Sequence, residues 1–267
     1  MVLRIGIVGC GAIGSKLART IQNKFSSTAK ISYLCDTNLK AICELQRKFK
    51  PSPQIVSIDE LVRRSDFIIE AASQTAASKI VPLALKLKKQ VMVLSIGGLF
   101  KIPKQLLLNS KGLLCIPSGA VSGIDALLAA HQGKIKRVVI TTQKPLKSLK
   151  DAPFFKKSRW DLEKIKKPTL IFSGNARTAI SLFPQNINVA ATLSFAGIGP
   201  ERTQVRIMTS PTFTRNTHEI IFEGDFGRIR TITENIPSKS NPKTSKLAIY
   251  SAIACLEKIL SSFKIGT

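Results

Sequence analysis

Acidic side chains, histidines and aromatic rings are all scarce in this chain. Against 41 Lys and Arg it has only 16 Asp and Glu, a formal net charge of +25. An excess of that sign and size is the electrostatic footprint expected of a nucleic-acid binder. The distribution argues against that partner. The lysines are spread along the whole length, and the aromatic side chains that single-strand binders interleave with them make up only 6% of residues. Even the densest stretch, 134–167, reads as solvated surface, with a positive field that would speed the encounter with small anions. The five cysteines, Cys10, Cys35, Cys43, Cys115 and Cys255, are odd in number, scattered and without the paired spacing of a metal site. They exclude a disulfide framework and read as reduced thiols of a cytoplasmic protein. No apolar run approaches the roughly 20 residues of a membrane span. The chain opens directly on a strand, without a charged-then-apolar leader, so we expect no export and no membrane partner. Repeats and low-complexity segments are lacking too. The 267 residues leave room for two modest domains.

What is present begins at once. Residues 4 to 14 read RIGIVGCGAIG, a short apolar strand running into a G-x-G-x-x-G turn. Gly9 permits the tight turn, Gly11 lets the backbone approach a pyrophosphate, and Gly14 lets the next helix pack closely on the sheet. Ala12 and Ile13 begin that helix, whose unpaired N–H groups would face the phosphates. A second apolar strand, 31–35, is closed by Asp36, about 20 residues after the glycines, where a carboxylate accepts hydrogen bonds from the adenosine ribose. A carboxylate there repels a 2′-phosphate and favours NAD; Lys40 nearby leaves NADP open.

From the N-terminus to about 117, short apolar strands (3–8, 31–35, 66–71, 90–94, 113–116) alternate with helical stretches (12–24, 38–49, 58–64, 75–88, 102–109). That alternation predicts a doubly wound parallel sheet, a Rossmann domain. After 118 the texture changes. A helix over 121–130 and a strand over 138–142 lead into a long lysine- and proline-rich connection. A strand at 168–173 and helices at 175–182 and 187–196 follow. Runs at 203–209, 217–223 and 228–233, divided by turn residues, predict an antiparallel meander. The second half is therefore α+β with a mainly antiparallel sheet. A final helix, 244–260, carries Ile249, Ala252, Ile253 and Leu256 on one face and should return to the Rossmann domain. We expect a dinucleotide-binding domain over 1–118, completed by 241–267, and an α+β domain over 119–240.

Proton transfer near neutral pH favours histidine, and the chain has two. His131 ends a helix, where a cation complements the dipole. His218 lies in a polar strand, Arg215 to Ile220, and is open to a structural or a catalytic role. Three small-residue turns follow successive strands, at 70–74, 95–98 and 117–123, where open α/β sheets bind ligands. In the first of these, Ala72 and Ser73 would let a ribose and a nicotinamide lie close to backbone. In the run 183–193, Asn186 and Asn188 flank a helix start, so one can cap and the other can bond a ligand carboxamide or carboxylate. Lys243 and Thr244 mark a further helix start suited to a carboxylate.

Together, the glycine turn at 7–14, EAASQ at 70–74, SGA at 118–120, FPQNINVAATL at 183–193, NTHEI at 216–220 and NPKTS at 241–245 resemble the L-aspartate dehydrogenase family. The resemblance runs from end to end. It implies NAD(P)-dependent oxidative deamination of L-aspartate to iminoaspartate, which hydrolyses to oxaloacetate and ammonia and can feed quinolinate and NAD biosynthesis. It also implies a homodimer built through the sheet of the second domain, which would then carry both catalysis and dimer contacts. By the same resemblance the catalytic histidine falls on His218, and further cofactor contacts fall on Ala120 and Asn188. Ser173 and Lys246 depart from the family pattern outside its central motifs. Rival readings are a dihydrodipicolinate reductase or homoserine dehydrogenase type of oxidoreductase, and a non-catalytic nucleotide- or nucleic-acid-binding protein.

Overall fold

The computed structural model describes residues 2–111, 113–157, 160–184, 187–238, 244–261 and 265–266. Two compact units emerge: Met1–Pro117 with Ala252–Lys264, and Ser118–Ser251 with Ile265–Thr267.

The first unit runs β1 (Leu3–Val8), α1 (Ala12–Lys24), β2 (Ala29–Cys35), α2 (Leu39–Gln46), β3 (Gln54–Ile55), α3 (Ile58–Arg64), β4 (Phe67–Glu70), α4 (Gln74–Lys86), β5 (Gln90–Val93), α5 (Lys104–Leu108) and β6 (Leu114–Cys115). Its six strands are ordered β3-β2-β1-β4-β5-β6 and pair in parallel. This is the doubly wound sheet of a Rossmann fold, with its switch point between β1 and β4. Parallel strands are buried on both faces and so read as continuous apolar runs; every residue of β4 is buried. Ile5, Ile7, Leu17, Ile21, Leu34, Phe67 and Ile69 form the core, each such side chain contributing about 1.5–3 kcal/mol by leaving water. The two-residue β3, exposed at both positions, offers no pattern to read in the sequence. Local signals set several helix starts. Asn38 caps α2 through Ala41 N, and Ser57 caps α3 through Glu60 N. The cysteines are free thiols.

The second unit contains α6 (Ile124–Ala130), β7 (Ile135–Pro145), α7 (Pro153–Lys157), β8 (Thr169–Asn175), α8 (Ala176–Leu182), α9 (Asn188–Ala196), β9 (Gln204–Ser210), β10 (Asn216–Gly224) and β11 (Gly227–Asn235). The sheet order is β11-β10-β7-β9-β8. The expected meander is therefore corrected. β10 and β11 do form a hairpin, but β7 separates β10 from β9, and β9 runs parallel to β7. The reason is the length and burial of β7: Val138, Val139 and Ile140 are consecutively buried, which demands a central position. Residues 211–215 then bridge the end of β7. Two strand spacings, about 10 Å, lie within the reach of five residues.

The last helix, α10 (Lys246–Leu260), starts two residues later than its sequence pattern suggests. Ser245, rather than Thr244, accepts the hydrogen bond from Ala248 N. Ala252 and Leu256 join the core of the first unit, so the C-terminal part of the helix packs with the Rossmann sheet's hydrophobic core. No helix among the described residues is long and apolar enough to cross a membrane.

Candidate active site

In the first unit the three glycines have three different reasons. Gly9 has φ +97°, and a Cβ there would approach the backbone of Ala71 and Ala72 to 2.5–2.7 Å. A Cβ on Gly14 would run into the carbonyl oxygen of Gly9. Both positions are closed to any side chain by the protein itself. At Gly11 nothing lies within 4 Å of an added Cβ. Gly11 is the N-cap of α1, and no side chain caps the helix. The free N–H groups that open α1 at Ala12 and Ile13, beside the space over Gly11, suit a pyrophosphate.

Asp36 stands where its spacing places it, and it does more than expected. Its Oδ2 accepts from Cys10 N at 2.5 Å and its Oδ1 from Asn38 N at 2.8 Å. The carboxylate thus braces the glycine turn, and each oxygen keeps a second lone pair for a ribose hydroxyl. Burial pushes the neighbouring Cys10 thiol up to about 12, with Asp36 adding to the shift; it stays a thiol.

Sequence reasoning passed over Glu70. It is fully buried at the end of β4, where its Oε1 accepts from Ala72 N at 2.8 Å, Ser73 N at 3.0 Å and Ser95 Oγ at 2.9 Å. Its Oε2 accepts from Ser95 N at 3.0 Å. Burial raises its pKa against the pull of these donors. The Glu70 carboxylate therefore ties together two of the small-residue turns at the strand ends. Ala72 and Ser73 are exposed, Ala72 N lies beside Gly9, and both N–H groups turn inward to Glu70. The signal was an acidic residue at the end of an otherwise apolar strand.

In the second unit, His218 is 4% exposed on β10. The register places it opposite Thr142 of β7, whose Oγ1 lies 3.0 Å from Nδ1. Burial first, and then the charge of Lys144, pull the imidazole down to about 3. It is neutral across the working range. The 118–123 loop is fastened to the same face. Asn235 Nδ2 donates to the Ala120 carbonyl at 2.9 Å, and Ser122 N donates to Thr233 Oγ1 at 3.2 Å. Ala120 and His218 are thus brought into one polar region. Asn188 is exposed at the first position of α9, a helix that Ile187 starts without a side-chain cap; Asn186 lies outside the described residues. So does Lys243. Thr244 precedes α10, its carbonyl accepting from Ser238 N at 2.7 Å. His131 is exposed and ends α6.

Residues 125–259 match the family model described as aspartate dehydrogenase, C-terminal, which takes in β7, β10, His218 and Thr142. The chain belongs to the L-aspartate dehydrogenase family. It is 43% identical to the L-aspartate dehydrogenase of Methanocella arvoryzae and 46% identical to that of Methanosarcina barkeri, with all of each chain covered. Residues 9–111 match the NAD-binding domain model of homoserine dehydrogenase, which makes the first unit a pyridine-nucleotide domain. Among solved structures, aspartate dehydrogenase from Thermotoga maritima shares the fold with a TM-score of 0.74 at 24% identity, over the full length of both chains.

Proposed function

We propose that the chain oxidises L-aspartate to iminoaspartate with NAD, the imine then hydrolysing to oxaloacetate and ammonia. The observation that carries this reading is the buried, neutral imidazole of His218, fixed by Thr142 within the aspartate dehydrogenase segment. In the tautomer whose Nδ1–H donates to the Thr142 hydroxyl, Nε2 presents its lone pair and takes a proton from the substrate amine or from the water that attacks the imine. Its orientation is set before substrate arrives, so little reorganisation is needed in the reaction.

The glycine turn fits the cofactor by its shape: Gly9 and Gly14 are filled by backbone, and Gly11 is open. Gly9, Gly11, Ala12, Ile13, Gly14, Asp36, Ala72 and Ser73 would hold it, and the family resemblance adds Ala120 and Asn188. When bound, the nicotinamide accepts the hydrogen and two electrons that leave the substrate's α-carbon. The protein supplies orientation and the proton acceptor. Asp36 disfavours a 2′-phosphate and makes NAD the preferred cofactor; the exposed Lys40 keeps NADP usable.

We assign cofactor binding to 1–118 with 241–267, and catalysis to 119–240. The chain acts in the cytoplasm as a homodimer through the outer face of the second sheet, where Ile232 is 55% exposed. Its iminoaspartate suits a route to quinolinate and NAD. The positive charge draws in a dianionic substrate.

The test is nicotinamide absorbance on adding L-aspartate with each cofactor, with homoserine and small 2-oxo acids as controls. Turnover of aspartate with NAD supports the reading. Turnover of homoserine alone would replace it, and salt-sensitive duplex binding without turnover would point to nucleic acid instead.

A further inference from the structure

Side chains two apart on a strand share a face, so Lys144 stands beside Thr142 on β7, on the side that carries His218. Thr209 of β9 pairs with Lys144 and donates its hydroxyl to the Lys144 carbonyl at 2.7 Å. Asn216 lies two residues before His218 on β10, and Asn235 of β11 is opposite Asn216. Thr142, Lys144, Thr209, Asn216, His218 and Asn235 therefore occupy one end of one sheet face.

Two features of this face are unbalanced. Lys144 is 5% exposed, yet among the described residues no carboxylate pairs with its ammonium. All 16 acidic residues of the chain lie within the described part. Second, Asn216 Oδ1 and Asn235 Oδ1 are enclosed without a hydrogen-bond partner among the described residues. A desolvated ammonium without a counter-charge is costly, and so is an acceptor without a donor. The missing groups are an anion and an N–H donor. An amino acid with an extra carboxylate carries both.

We propose that the Lys144 ammonium is the seat for one carboxylate of the substrate, with the Asn216 and Asn235 carbonyl oxygens placed to accept from its amine. This rests on the aspartate reading above and adds to it the residue that selects a dicarboxylate. A consequence follows for His218. Among the groups described, Lys144 is the charge that acts on the imidazole; the other members of the face do not titrate. A carboxylate seated on Lys144 compensates that charge and makes His218 a stronger proton acceptor once substrate is bound.

The experiment compares Lys144→Met and Lys144→Arg with the parent, using succinate as a non-reactive dicarboxylate in the presence of NAD. Losing a charge-assisted hydrogen bond should weaken binding about 10- to 100-fold. Lys144→Met should therefore raise KM for aspartate and Kd for succinate by that factor, with NAD affinity within about twofold and no fall in melting temperature. Lys144→Arg, keeping the charge, should retain part of the succinate affinity. In the parent protein, succinate should raise the titration midpoint of the His218 imidazole seen by NMR, which tests the seat even if the Met variant does not fold. Unchanged succinate affinity in Lys144→Met, or an unmoved His218 midpoint, would overturn the proposal. A parent that binds succinate through Lys144 but does not oxidise aspartate would sink the aspartate reading and leave the seat standing.

Discussion

The Thr142 hydroxyl lies 3.0 Å from Nδ1 of His218, across the β7–β10 pairing. This contact occupies Nδ1 and leaves Nε2 for the proton transfer proposed above. General acid–base groups contribute about 100- to 10,000-fold, so His218→Ala should lower kcat by a factor in that range with NAD affinity nearly unchanged. Thr142→Val keeps the shape and removes the bond, and should cost about 10-fold in kcat with little change in KM. His131→Ala, at an exposed helix end, should cost about 1 kcal/mol of stability or less and no activity. Steady-state kinetics of the three variants decide this; a parent-like rate in His218→Ala would remove the proton-transfer role.

The glycine turn predicts a dissociation of folding from binding. Gly11→Val should fold with a parent-like melting temperature, since nothing lies within 4 Å of its Cβ, yet lose cofactor binding in a fluorescence titration. Gly14→Ala should fail earlier, with a lowered melting temperature, because its methyl meets the Gly9 carbonyl.

Asp36→Ala removes both the proposed ribose acceptor and the brace on Cys10 N and Asn38 N. NAD affinity should fall more than NADP affinity, and the melting temperature should drop as well. Equal cofactor affinities before and after the change would take Asp36 out of the cofactor site.

Glu70→Gln leaves one acceptor oxygen where the carboxylate met donors from Ala72, Ser73 and Ser95. The unmet donors should destabilise the protein by about 1–3 kcal/mol in a denaturant titration. NAD binding should weaken too, because both turns lose their shared anchor. A fully stable variant would show that the turns hold themselves.

Stability should depend on pH through the two buried bases. His218 titrates near 3 in the folded protein against an ordinary 6.5, so between these values the unfolded chain binds more protons and stability rises with pH. Lys144, held near 8 against 10.5, gives the same sign between about 8 and 10.5. Comparing the parent with His218→Gln should show a shallower acid-side slope in the variant. Parallel curves would mean that His218 is not held neutral.

The cofactor unit was legible in the sequence because its signals are local. Gly9 and Gly14 answer to backbone geometry within one turn and Gly11 falls between them at the expected spacing, and parallel strands announce themselves as unbroken apolar runs. The end-to-end motifs gave the family, and full-length relatives at over 40% identity bear it out. The second sheet was less legible. Its strands were read nearly in place, but alternation along a strand does not say which neighbour it meets, so β7 between β9 and β10 came as a correction.

By itself, then, the sequence determined the glycine turn, the strand that carries His218 and the apolar face of the last helix, because each follows from a period or a spacing within a few residues. Only the tertiary structure decided what the buried polar groups do. Glu70 gathering two turns, Thr142 holding His218, and Lys144 lacking a counter-charge among the described residues are relations between residues 25 or more apart in the chain or across strand pairings. Such relations depend on register and burial, and no local pattern encodes them.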